Sequence, residues 1–140
     1  MALMLKQIMS TEVEVLNPEA TLQQAAERMR RHDIGMLPVC DGTRILGMLT
    51  DRDITIRAIA EGSDPKTTRA SDVMTSDVCY CYEDDDVKMV AKTMSERQIR
   101  RMPVVDREKN LVGIVALADI ARHSDERTAG DALEGISQPS

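Results

Sequence analysis

Gly47-Met48-Leu49-Thr50-Asp51-Arg52-Asp53 and Gly113-Ile114-Val115-Ala116-Leu117-Ala118-Asp119 are two versions of one signal. In each, an apolar strand with a glycine ends in a polar or small residue, and an aspartate follows three positions later at the start of a helix. Backbone N–H groups on a first helical turn lack partners, so a hydroxyl and carboxylates there can cap the helix or hold a ligand's hydroxyls and anions. The second version keeps the glycine and the last aspartate but has Ala116 in place of Thr50. Two related sites of unequal chemistry are expected.

The repeat extends outward from this stretch. Ile8-Met9-Ser10 matches Val73-Met74-Thr75 at an offset of 65, and the match runs on through Leu22/Val87, Ala26/Ala91, Met29/Met94, Ile34/Ile99, Pro38/Pro103 and Asp41/Asp106. It then slips to 66 at Gly47/Gly113 and Asp53/Asp119, as one extra residue in the second hairpin loop requires. In the first copy, Val13–Leu16 reads as a short strand. Thr21 reads as an N-cap with Gln24 as its capping-box partner, and Leu22, Ala25, Ala26 and Met29 form one helical stripe. Met36–Cys40 and Ile45–Leu49 flank Asp41-Gly42, which predicts a hairpin, and a second helix is expected from about Asp51 to Ala60, stopping at Gly62. The second copy offers a strand Val78–Tyr82, a helix bearing Val87, Val90, Ala91 and Met94, strands Met102–Val105 and Leu111–Val115, and a last helix from near Leu117. The boundaries read from this pattern are repeat 1 at 8–62, a turn-rich linker at 63–72, repeat 2 at 73–123 and a polar tail at 124–140, with possible helical contacts around Ala132-Leu133.

Composition narrows the function. The 140 residues suit one domain or two small repeats sharing a core, and a net charge of -6 argues against nucleic acid as a partner. The apolar start Met1–Leu5 is too short for a signal h-region or a membrane span, so the chain reads as soluble and cytoplasmic, with no membrane partner. Cys40, Cys79 and Cys81 make no even framework and no paired CxxC pattern; they read as small buried hydrophobes, or else as a redox or metal sensor together with His32. The acid run Glu83–Asp86 precedes a helix, where carboxylates cap and complement the dipole. No Ser-His-Asp set, catalytic carboxylate pair or Walker loop occurs, and Tyr80 and Tyr82 are read as non-catalytic. The apolar residues Ile54, Ile56, Ala58 and Ile59 are more than one helix face can bury, which predicts a homodimer.

Two copies of strand, helix, x-x-P-V strand, turn, G-h-h-x-x-x-D and helix resemble a pair of CBS (cystathionine beta-synthase) domains, the tandem unit called a Bateman module, across about residues 8 to 123. The chain is similar to free-standing bacterial two-repeat proteins, including the hypoxic-response type. The resemblance implies an α/β (α+β) fold of two βαββα units about a pseudo-twofold axis, association of modules in pairs, and clefts for adenosine-containing ligands such as AMP, ATP, NAD or S-adenosylmethionine. It implies a regulatory, non-enzymatic role towards an unidentified partner, with no cofactor required and no resident metal.

Carried onto this sequence, the resemblance implies a first cleft of Thr50, Arg52, Asp53, Met74, Thr75, Cys79, Ile99 and Arg101. Asp53 would hold the ribose, Thr50 the ribose-phosphate edge and Arg101 a phosphate. The second cleft would take Met9, Ser10, Glu14, Ile34, Met36, Ala116 and Asp119, and would be the weaker because it lacks Thr50's hydroxyl and a cation. A structural or interaction protein with empty clefts is the alternative.

Overall fold

The computed structural model describes residues 3–123; the tail from 124 onward, including Ala132-Leu133, lies outside them. The elements are a 3-10 turn Leu5–Gln7, α1 (Leu22–His32), β1 (Met36–Asp41), β2 (Arg44–Thr50), α2 (Asp51–Asp53) running into a π-helical segment Ile54–Ile59, α3 (Ala70–Val73), β3 (Cys81–Tyr82), α4 (Val87–Arg97), β4 (Arg101–Val105), β5 (Leu111–Ala116) and α5 (Leu117–His123). Helix and sheet are mixed, as expected for an α+β chain.

The chain forms two compact units that do not follow the repeat boundaries. One is the continuous stretch Glu14–Val78; the other joins, among the described residues, 3–13 with 79–123. Each repeat's leading segment thus belongs with the other repeat's helices and strands. Each unit has a core of its own: Leu16, Leu22, Ala25, Met29, Leu37, Val39 and Leu49 with Ala70 and Val73 in the first, and Leu5 and Ile8 with Val87, Met94, Met102, Val104, Val115 and Ile120 in the second.

In the unit Glu14–Val78, β1 and β2 pair antiparallel with a bulge after Val39, where Cys40 faces Ile45 and Leu46 is left over. The strand expected at Val13–Leu16 shrinks to a single parallel bridge, Leu16 to Val39, closed by Leu16 N–H to Pro38 O and Cys40 N–H to Leu16 O. The capping box at α1 is present, with Thr21 Oγ1 accepting from Gln24 N–H and Gln24 Oε1 accepting from Thr21 N–H. The remaining orphan donors of that helix start are met by the polar stretch after the first repeat: Thr68 O accepts from Leu22 N–H and Pro65 O from Gln23 N–H. That stretch is therefore tied down by backbone bonds rather than loose. Asp33 closes α1 in the left-handed region at φ 53, a conformation that a short polar side chain tolerates, and Ile34 N–H reaches back to Met29 O.

The expected helix from Asp51 is helical but not uniformly α. After Asp53 its bonds run i to i+5, as from Ala60 N–H to Thr55 O, before Gly62 ends it at φ +78. Of its apolar residues Ala58 is buried and Ile54 packs on the core, while Ile56 and Ile59 stay 51% and 55% exposed.

The second unit repeats this plan. Its β4 and β5 pair antiparallel with the bulge after Val104, and β3 adds to β4 in parallel. The strand read as Val78–Tyr82 is only Cys81–Tyr82. Gln98 takes the left-handed cap of α4 at φ 56, matching Asp33. Asp86 is the N-cap of α4 and accepts from Lys88 N–H, while Asp84 pairs with Arg107 at 2.9 Å, so the acid run is spent on helix and loop contacts. The chain's two aromatic rings, Tyr80 and Tyr82, meet edge to face at 5.9 Å, with Arg107 4.2 Å above Tyr82. That cluster pins the β4–β5 loop over β3.

Candidate functional site

Each unit ends a hairpin strand at the residues singled out above. In the unit Glu14–Val78, Thr50 is the last residue of β2 and caps α2 reciprocally: Thr50 Oγ1 accepts from Asp53 N–H at 3.0 Å and Asp53 Oδ2 accepts from Thr50 N–H at 3.1 Å. Met36 lies opposite Thr50 in the strand register, and Asp51 N–H donates to Gly35 O. Met74 and Thr75 dock on the other side of β2, where Met48 and Thr75 exchange two backbone bonds of 2.9 and 2.8 Å. A Cβ on Gly47 would stand 2.7 Å from both Met74 Sδ and Thr75 O, so only glycine admits this approach. Arg57 donates to Val73 O and Met74 O, both at 3.3 Å, and its Nε stands 3.9 Å from Asp53 Oδ1. Arg52 is exposed on the same turn.

In the second unit the same positions carry different chemistry. Asp119 Oδ2 accepts from Ala116 N–H at 2.8 Å, the bond that Asp53 makes to Thr50. Ala116 supplies no reciprocal hydroxyl. Arg101 lies opposite Ala116 in the register, where the first unit has Met36, and Leu117 N–H donates to Arg100 O. Met9 and Ser10 dock beside β5, with Ser10 and Ile114 exchanging two backbone bonds of 2.9 Å and Gly113 allowing the approach. Arg100, Arg101, Ala116, Leu117, Ala118 and Ala121 line a cavity of about 340 Å³.

The strand register sets the immediate neighbours of Thr50 and Ala116 within each hairpin. Arg101, assigned to the Thr50–Asp53 set, opens β4 opposite Ala116, with Ile99 two residues before it; Met36, assigned to the Asp119 set, opens β1 opposite Thr50, with Ile34 two residues before it. The reason is hairpin geometry: in an antiparallel pair the first residue of one strand meets the last of the other. Glu14, assigned to the second cleft, turns its carboxylate to His32 Nε2 at 3.3 Å and to Arg28.

The three cysteines are free. Cys40 and Cys81 are buried, and burial raises both thiols; for Cys81, Asp85 and then Cys79 add to the effect of burial and push it up to about 12. Cys79 is half-buried against the core of its unit. Among the described residues no three His, Cys, Asp or Glu side chains converge on a point that would hold a metal. Alkylation at pH 8 is thus expected to modify Cys79 first and to leave Cys40 and Cys81 intact until the protein unfolds, which mass mapping of the labelled peptides checks. The sign for stability follows. A thiol raised in the folded state contributes fully below its ordinary value near 9, and that contribution drains away as pH rises towards about 12.

The repeated hairpin-and-aspartate plan matches a known family. The CBS domain model matches residues 5–58 and 70–126. The chain belongs to the CBS domain family. This CBS pair is 42% identical to Hypoxic response protein 1 of Mycobacterium tuberculosis over 96% of this chain and 94% of that protein. Among solved structures it is similar to Hypoxic Response Protein I with two coordinated zinc ions, at a TM-score of 0.79 and 43% identity over 86% of this chain and 98% of that one. It is also similar to the CBS domain pair of protein MJ0100 in complex with 5'-methylthioadenosine and S-adenosyl-L-methionine, at a TM-score of 0.74 and 31% identity, covering 87% and 95% of the two chains. Among the described residues no helix is long and apolar enough to cross a membrane.

Proposed function

We propose that this CBS pair is a regulatory, non-enzymatic module that binds an adenosine-containing ligand at its two aspartate half-sites and signals through a partner protein. The observation that carries the reading is the duplicated carboxylate: Asp53 and Asp119 are 14% and 16% exposed, each fixed through Oδ2 on the backbone N–H three residues earlier. A carboxylate held in this way presents its remaining lone pairs in one direction, which suits the paired hydroxyls of a ribose. Thr50, Arg52, Met74 and Thr75 would complete the first half-site, with Ile34 and Met36 beside them. Arg101, Ile99, Cys79, Met9, Ser10 and Ala116 would complete the second. The bound S-adenosyl-L-methionine and 5'-methylthioadenosine of the similar MJ0100 pair support the ligand class.

The test is a thermal-shift screen with AMP, ATP, NAD, S-adenosylmethionine and zinc. A ligand present at about 100 times its Kd stabilises the folded state by about 2.7 kcal/mol, a shift of several degrees. If zinc alone raises the melting temperature, the metal-sensor reading replaces this one. If nothing does, the module acts through its surface with empty half-sites. The exposed pair Ile56 and Ile59 supports a homodimer, which light scattering at micromolar concentration checks.

A further inference from the structure

The two half-sites differ most in what holds the far side of the aspartate. Asp119 has both oxygens engaged, Oδ2 by Ala116 N–H at 2.8 Å and Oδ1 by Arg122 Nη2 at 3.0 Å. Asp53 Oδ1 has Arg57 at 3.9 Å, and that guanidinium already donates to two backbone carbonyls. At the position of Arg122 the first repeat has Ile56, an exposed apolar residue with nothing to offer a carboxylate. Arg122 is 70% exposed, so the ion pair is weak and easily exchanged. The cavity beside Ala116 is flanked by two more cations, Arg100 and Arg101, where the first repeat has Gly35 and Met36.

We propose that Arg122 is a counter-ion latch on Asp119, which makes this half-site selective for phosphorylated over uncharged adenosyl ligands. This rests on the adenosyl reading above and adds the ligand's charge. An uncharged nucleoside must compete with Arg122 for Oδ1. A ligand carrying phosphate offers the guanidinium a second anion near Arg100 and Arg101, so the latch opens with its charge still paired, and the carboxylate becomes free for the ribose. At the Asp53 half-site the cation facing Oδ1 is Arg57 at 3.9 Å, held by two carbonyls, so neutral or positively charged adenosyl ligands meet weaker competition there.

Alanine-methyl NMR on the full chain reads this half-site directly, because Ala116, Ala118 and Ala121 line the cavity. Titrations of adenosine and AMP into the wild type are expected to give AMP the tighter binding by at least about tenfold at these methyls. In Arg122→Ala, adenosine should tighten by about two- to fivefold, the worth of an exposed ion pair, while AMP weakens, and Arg122→Lys should restore part of the ratio. A truncation that merely loosened α5 would weaken both ligands together, and that result, or an unchanged ratio, overturns the latch. If neither adenosine nor AMP moves any alanine methyl at millimolar concentration, the adenosyl reading falls. Inorganic pyrophosphate then decides the anion part alone: shifts at Ala116 and Ala118 that weaken in Arg122→Ala uphold it, and silent methyls end it.

Discussion

Alanine at Gly47 is expected to destabilise the unit Glu14–Val78 by about 2–3 kcal/mol, and alanine at Gly113 to do the same to the other unit. The new Cβ would lie 2.7 Å from Thr75 O at Gly47 and 2.8 Å from Ser10 O at Gly113, inside any real contact distance. Met74 Sδ and Met9 Sδ, each also 2.7 Å away, are ends of flexible side chains and can turn aside. The backbone oxygens cannot, because each segment is held by a two-bond bridge, Met48 with Thr75 and Ser10 with Ile114. Relief therefore requires the bridge to open, which forfeits both bonds and moves a segment placed beside the aspartate half-site. Gly42→Ala is the control: it has open space around it but sits at φ +60, so only the backbone strain of about 1 kcal/mol should appear. Urea denaturation of the three variants measures the difference. Changes below about 0.5 kcal/mol at both Gly47 and Gly113 would show that the docked segments yield freely.

Removing a half-site carboxylate should have the largest effect on binding. Asp119→Ala deletes a charged acceptor for ribose hydroxyls, and hydrogen bonds to charged groups contribute about 1.5–3 kcal/mol, so AMP affinity should fall about 10- to 100-fold. Asp53→Ala should cost less for AMP and more for adenosine, since the cations Arg100, Arg101 and Arg122 all belong to the Asp119 unit. This order is the opposite of the one that the resemblance implies, in which Arg101 serves the Thr50–Asp53 cleft. Each aspartate also accepts a backbone N–H at a helix start, so the alanine variants lose some stability as well. Asp119→Asn and Asp53→Asn separate the two roles, because an amide oxygen still accepts that bond while the charge is gone. Calorimetry in which AMP binds equally well to all four variants would remove the aspartates from the site.

Much of the molecule is legible from local pattern. The capping box at Thr21 and Gln24, the α1 and α4 stripes, both hairpins and the capping use of the acid run all depend on residues within a few positions of one another, where propensity and periodicity act directly, and the repeat at offsets of 65 and 66 states each of these signals twice. The strand expected at Val13–Leu16 shows the limit of such signals: of these residues Leu16 alone bridges to a strand, at Val39, because pairing rather than propensity decides a short strand. The length of the Asp51 helix was readable, whereas its i to i+5 bonding was not.

What the sequence by itself determined is the CBS pair, its two unequal aspartate motifs and the residue types available to each. Only the tertiary structure decided which residues stand together. Strand register set Arg101 against Ala116 and Met36 against Thr50, and backbone bridges carried Met74-Thr75 to Gly47 and Met9-Ser10 to Gly113. The Arg122–Asp119 pair has ordinary i, i+3 spacing on a helix, yet its importance appears only once Asp119 Oδ2 is seen to be tied to Ala116 N–H, leaving Oδ1 as the group in contention. Composition and spacing name the groups, but a charge acts over a few ångströms, and those distances come from long-range pairing that no local window contains.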